Sequence, residues 1–179
     1  MSLKSSSADR RVRIRTENIE NVAELHAIRE VNETSFGGTE EVDLVEKLRS
    51  DGSVLHSLVA ELESTIVGHI LFSRMWINAN SELVSAVALA PVAVLPEHQR
   101  MGIGQRLIEH GLDMLRAEGE RIVIVVGHPS YYPRFGFSTE TAQLLEAPFP
   151  REAFMAMELV AGALAHVKGP VVYPPAFGI

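Results

Sequence analysis

The chain has 179 residues, enough for one domain around one core and too few for two comfortable ones. Apolar residues make up 46% and charged residues 22%, as in an ordinary globular protein, and no apolar run reaches the roughly 18–20 residues of a membrane span. Sixteen Lys and Arg against 23 Asp and Glu leave a net charge of −7, which argues against nucleic-acid binding and suits cationic amine substrates, and the absence of cysteine removes disulfides, thiolate metal sites and a cysteine nucleophile.

Met1 to Ala8 is polar and serine-rich without an apolar stretch, so it does not read as a signal peptide. Residues 1–9 are expected to be a disordered tail on a single domain spanning 10–179, cytoplasmic by default. Val12-Arg13-Ile14-Arg15 alternates as an opening strand. Val22, Leu25 and Ile28 follow helical spacing and predict a first helix from Ile19 to about Asn32, broken by Phe36-Gly37-Gly38-Thr39. Thr39 and Glu40 open a second helix carrying Val42, Val45 and Leu48, which ends near Asp51-Gly52. Strands are predicted over Val54–Ala60 and Ile66–Met75, joined by Glu61–Ser64. After a turn at Asn78–Ser81 comes a long third strand, Leu83–Leu95. Pro91 inside it cannot donate to a ladder, so it marks a bulge or a place where pairing opens.

Gly102–Glu118 is the clearest helix, with Ile103, Leu107, Ile108, Leu112 and Leu115 on one face and Gly119 as a stop. Ile122–Val126 is an unbroken apolar run, as in a strand covered on both faces. A turn-rich segment, Pro129–Gly136, follows. Glu158-Leu159-Val160 and Val171-Val172-Tyr173 are expected as terminal strands. The predicted order is β-α-α-β-β-β-α-β-α-β-β, an α/β (α+β) fold with a mixed, mostly antiparallel sheet. The crossover helix makes the long strand and Ile122–Val126 a parallel pair.

The chemistry concentrates between that strand and that helix, at Gln99-Arg100-Met101-Gly102-Ile103-Gly104. Two glycines at a helix start let backbone approach a ligand and aim unpaired N–H groups at an anion, most naturally a diphosphate. Arg100 adds a charge beside them and Arg106 a second one a turn on. A bare glycine pair serves equally well as a tight turn, so rival motifs matter. A P-loop needs Gly-Lys-Ser/Thr, but Gln105-Arg106 follows Gly104. A dinucleotide fingerprint needs a third glycine where Leu107 stands.

Gln99-x-x-Gly102-x-Gly104, after a strand ending Val92-Ala93-Val94-Leu95-Pro96, resembles motif A of the GNAT superfamily of N-acetyltransferases. The likeness extends over Val12 to Val160 and includes Tyr131-Tyr132-Pro133-Arg134-Phe135-Gly136-Phe137, similar to the family's Tyr-x-x-x-Gly-Phe ending. The phrasing Val67–Ser73 and Tyr173–Phe177 is that of a bacterial branch of predicted acetyltransferases. The resemblance implies a sheet splayed at its parallel pair and a run from Gln99 through Met101, Ile103 and Gln105 to Arg106 that holds the pyrophosphate of acetyl-CoA. It also implies Ala93 and Val94 beside the pantetheine arm, and Tyr132 as general acid. Gly127-His128-Pro129 replaces the asparagine common in the family, which leaves that contact with the arm in question.

Acetyl transfer further needs an oxyanion donor, for which the Val94 N–H freed by the splay is the candidate. Glu33, at the end of the first helix, is the candidate base, with Ser85, His128 and Glu61 as alternative members of a water relay. Each of these serves equally as a surface or capping residue, and Tyr131 and Tyr132 as core tyrosines. His69 reads as a core or cleft histidine, and Met75 and Trp76 as lining the sheet or an acceptor cleft. The seven histidines hold no pair at the i, i+3 or i, i+4 spacing of a helical metal site, so no metal is expected. The partners expected are an amine acceptor, with no nucleic acid or membrane, and a second copy of the chain through Val171–Phe177. The rival to an enzyme is a CoA-binding module without catalysis.

Overall fold

A computed structural model describes residues 11–179. The expected tail lies outside them. The elements are β1 (Val12–Thr16), α1 (Val22–Phe36), α2 (Glu40–Ser50), β2 (Val54–Leu62), β3 (Thr65–Ala79), β4 (Glu82–Val94), α3 (Ile103–Ala117), β5 (Ile122–Val126), β6 (Leu145–Glu146), β7 (Phe154–Glu158) and β8 (Gly169–Val172).

The sheet runs β1-β2-β3-β4-β5-β7, with β8 laid against the far end of β3 and β6 paired to β8. Every pairing on the main path is antiparallel except β4–β5, so the predicted mixed sheet is present. The β2–β3 and β3–β4 hairpins turn tightly at Glu63-Ser64 and Asn80-Ser81, all four with positive φ, as type I′ turns require.

Alternation along β3 sorts the core into two faces. Ile70 and Phe72 point toward α3, whose Ile103, Leu107, Ile108, Leu112 and Leu115 are buried against them. Leu71, Met75 and Ile77 point the other way, toward α2 and the C-terminal segment. Met75 is therefore fully buried in the core and lines no cleft, and Trp76 sits half-buried opposite Ser85 and Val172.

Several elements differ from the sequence reading, and β3 among them is longer, Thr65–Ala79 in place of Ile66–Met75. α1 starts at Val22, where Asn21 caps it by accepting from the Glu24 N–H, and it runs on to Phe36. The helix expected after β5 is a single 3₁₀ turn over Tyr132–Phe135, because Pro133 and Gly136 leave no room for more. The strand expected at Glu158–Val160 is β7, displaced upstream to Phe154–Glu158, where it pairs with β5. β6 was not expected at all. β8 pairs with β3 of the same chain through Val171 and Val172.

Candidate functional site

β4 and β5 pair only at Val87–Val123 and Ala88–Ile124. Beyond that, β4 continues to Val94 bonded to β3 alone, and β5 continues to Val126 bonded to β7 alone. The two strands therefore diverge into a V. A bulge marks the departure: Ile70 faces Val92 and Phe72 faces Leu89, so Ala90 and Pro91 together oppose Leu71. Pro91, with no N–H to offer, sits at the one irregular place in the ladder. The extra residue also resets which side chains share a face. Val92 and Val94 join Leu89 on the α3 side, and Ala93 turns toward α1, buried against Ile28 and Val31.

The same register orients the backbone. The Leu95 N–H donates to Val67 O at 2.9 Å. Antiparallel ladders alternate, so Ala93 also turns its N–H to β3, whereas Val92 and Val94 turn theirs to the edge that β5 has left. The Val94 N–H is therefore not used by β3, and Ala93, turned toward α1, does not line the cleft.

The loop after β4 is a one-turn 3₁₀ segment, Pro96–His98, followed by Arg100 and Gly102 in the left-handed region, at φ 60 and 79. A non-glycine residue there is uncommon, and the alternation of turns aims successive amides at one point. Gln99 closes the loop by donating its side-chain amide to Val94 O at 2.9 Å. The first intrahelical bond of α3 runs from the Arg106 N–H to Gly102 O, and no side chain caps the helix. The N–H groups of Ile103, Gly104 and Gln105 are thus left without intrahelical acceptors, at the positive end of the helix dipole.

One cleft of about 1000 Å³ joins these parts. The loop and the first turn of α3 form one side: His98, Gln99, Arg100, Gly102, Ile103, Gly104 and Gln105. β4 from Leu89 to Val92, with Val94, forms the floor. The end of β5, with Gly127, His128, Tyr131, Tyr132 and Arg134, closes it. Opposite the loop stand Ser35 and Phe36 from α1, and Glu41 and Leu44 from α2.

Tyr132 is 8% exposed and is edge-on to Tyr131 and Phe137. It lies so close over Gly127 that a Cβ there would fall 2.2 Å from its ring. Its hydroxyl has no hydrogen-bond partner among the described residues. Burial, and second the neighbouring Tyr131, push its pKa up to about 12. Tyr131 is less buried. Arg134 stacks over its ring at 4.6 Å and donates from Nε to its carbonyl at 3.0 Å. Burial raises the Tyr131 pKa as well.

Other expected residues lie elsewhere. Glu33 accepts from Arg29 at 2.9 Å and does not line the cleft. Arg106 donates to Val12 O at 2.9 Å, across α3 from the loop, and Met101 points outward. Glu61 is bonded to Arg15, and Ser85 is exposed at the far end of β4. His69 is fully buried: it accepts from Asn32 Nδ2 through Nδ1 at 3.0 Å, so Nε2 carries the proton and faces Ser57 Oγ at 2.8 Å. Burial, aided by Arg49, lowers its pKa to about 3. His128 alone of the relay candidates lines the cleft. Val92, Phe36 and Glu41, not foreseen from sequence, do so too. Among the described residues no group of three or more His, Asp or Glu is placed to hold a metal, and no helix is long and apolar enough to cross a membrane.

Comparison with known proteins gives a consistent answer. A family model described as an acetyltransferase (GNAT) domain matches residues 18–139. The uncharacterized N-acetyltransferase YjhQ of Escherichia coli strain K12 is 46% identical over 112 residues, which is 62% of this chain and 62% of that protein, just under two thirds of its length. The uncharacterized N-acetyltransferase YhbS of the same strain is 34% identical over 142 residues, 78% of this chain and 84% of that one. Among solved structures, the GNAT family N-acetyltransferase YhbS from Escherichia coli in complex with CoA superposes with a TM-score of 0.85 at 31% identity, covering 94% of this chain and 93% of that one. A GNAT family acetyltransferase from Brucella melitensis in complex with acetyl-CoA gives 0.77 at 32% identity, covering 93% and 97%.

Proposed function

This chain belongs to the GNAT acetyltransferase family, and on that premise we propose that it moves an acetyl group from acetyl-CoA to a primary amine by direct attack within a ternary complex. The observation that carries the proposal is the convergence of three unpaired helix-start amides, a freed strand edge and Tyr132 on one cleft.

The cleft residues fit the cosubstrate. The amides of Ile103, Gly104 and Gln105, with Arg100 beside them, suit its diphosphate. The outward N–H groups of Val92 and Val94 suit the amide carbonyls of the pantetheine arm and, nearest the reacting carbon, the oxyanion. One such preorganised donor is worth about two to three orders of magnitude in rate. Solved relatives crystallised with CoA and acetyl-CoA support this assignment.

Tyr132 serves the leaving sulfur. Its raised pKa keeps the hydroxyl protonated at neutral pH. A free thiol has a pKa of about 8.5, so full proton transfer from the phenol runs uphill unless the same desolvation raises the thiolate too. A hydrogen bond to the developing thiolate carries no such requirement, and that is the role we assign to Tyr132. The attacking amine must be neutral; water in the open cleft, with His128 within it, accepts its proton.

The test is release of free CoA when acetyl-CoA is incubated with a panel of primary amines. Release that requires both protein and amine supports acetyl transfer. CoA binding without release for any amine turns the reading to a non-catalytic CoA-binding module.

A further inference from the structure

The cleft is electrically lopsided. Arg100 and Arg134 stand on the loop side and at its closed end, while the wall opposite the loop carries Glu41, the only carboxylate among the described cleft residues. Glu41 is half-buried and has no ion-pair or hydrogen-bond partner among the described residues. Other acidic groups of this region are spent: Glu33 and Glu46 both bind Arg29. Acidic residues in a first helical turn complement the helix dipole, but Glu40 and Asp43 already do so from exposed positions outside the cleft. Glu41 belongs to the same first turn, and of the three it alone lines the cleft. Phe36, 44% exposed, and Leu44 flank it with apolar surface. The wall is also backed by Ala176 and Phe177, which pack on α2 in the cluster that includes Leu44, Val45 and Leu48.

We infer that Glu41 selects the acceptor: the substrate carries a second, positively charged group on a short apolar spacer from the amine that is acetylated. The inference rests on the acetyl-transfer reading above. The reacting amine must shed its proton, so it gains nothing lasting from a carboxylate. A second ammonium or guanidinium keeps its charge throughout, and its attraction to a half-buried, unpaired carboxylate holds the acceptor between the acetyl group and the α1–α2 wall.

The experiment is a calorimetric titration of putrescine, butylamine and γ-aminobutyrate into the protein saturated with CoA. These amines share a four-carbon chain and differ in the charge at its far end. Putrescine is expected to bind about threefold to tenfold more tightly than butylamine, with γ-aminobutyrate weakest. In Glu41→Gln the gap between putrescine and butylamine closes, and in Glu41→Lys the order of putrescine and γ-aminobutyrate reverses. The CoA titration itself reports that each variant is folded. A gap that persists in Glu41→Gln, or no gap in the parent, overturns the inference. Failure of the acetyl-transfer reading shows separately, as amines that bind the complex but never release CoA from acetyl-CoA.

Discussion

The Tyr131 hydroxyl stands 3.3 Å from the point a Cβ on Gly104 would occupy, so the tyrosine roofs the first turn of α3. Gly104→Val would push that hydroxyl aside and fill the space above the free amides. Acetyl-CoA affinity is expected to fall on the order of tenfold or more, the scale of losing one or two charge-assisted hydrogen bonds. Calorimetry on the variant checks this, and the Val substitution in Tyr131→Phe background should be less damaging.

Tyr132→Phe is expected to bind acetyl-CoA as the parent does and to turn over about tenfold to a hundredfold more slowly. With its pKa pushed up to about 12, Tyr132 contributes no falling limb to the rate below pH of about 10. The pH–rate profiles of parent and variant should therefore be parallel. A variant that erased an alkaline limb near neutrality would show that Tyr132 titrates far lower in the complex.

Gly127→Ala tests the placement of the same ring without touching its hydroxyl. A Cβ 2.2 Å from the Tyr132 ring forces the tyrosine to swing, at a cost of about 1–3 kcal/mol. Thermal melting should drop by a few degrees and turnover should fall more than CoA affinity does. Equal turnover in the variant would remove Tyr132 from the chemistry.

His69 makes stability depend on pH. The folded state holds it neutral down to about 3, whereas the unfolded chain takes up its proton below 6.5. The folded state is therefore progressively disfavoured as pH falls from 6.5 toward 3, by up to about 1.4 kcal/mol per pH unit. His69→Gln keeps one acceptor for Asn32 and one donor for Ser57, and should flatten that acid limb in melting experiments. An unchanged limb would place its origin in other groups.

Much of the site was legible because it is local. The glycine pair, the amphipathic α3 and the proline at the bulge all act within a few residues of where they stand. Facing and distance were not. The bulge at Ala90-Pro91 shifts the alternation by one, which exchanges Ala93 for Val92 on the cleft side, and composition does not reveal on which side of a proline a strand resumes. Arg106 is two residues past Gly104, about 200° around a helix, so helical geometry alone turns it away from the loop. Glu33 was withdrawn by Arg29 one turn earlier, a pairing the i, i+4 spacing already offered. Phe36 and Glu41 reach the cleft only because α1 and α2 cross the sheet, and no local pattern announces that.

The most direct measurement is calorimetric titration of CoA into the parent and into Gly102→Val. Nothing lies within 4 Å of a Cβ at Gly102, so the Cβ meets no neighbour, and the substitution disfavours φ of 79 and the loop shape built on it. If the amides at the start of α3 hold the diphosphate, affinity falls at least tenfold while the protein stays folded. Unchanged affinity in the folded variant would contradict the assignment of this loop.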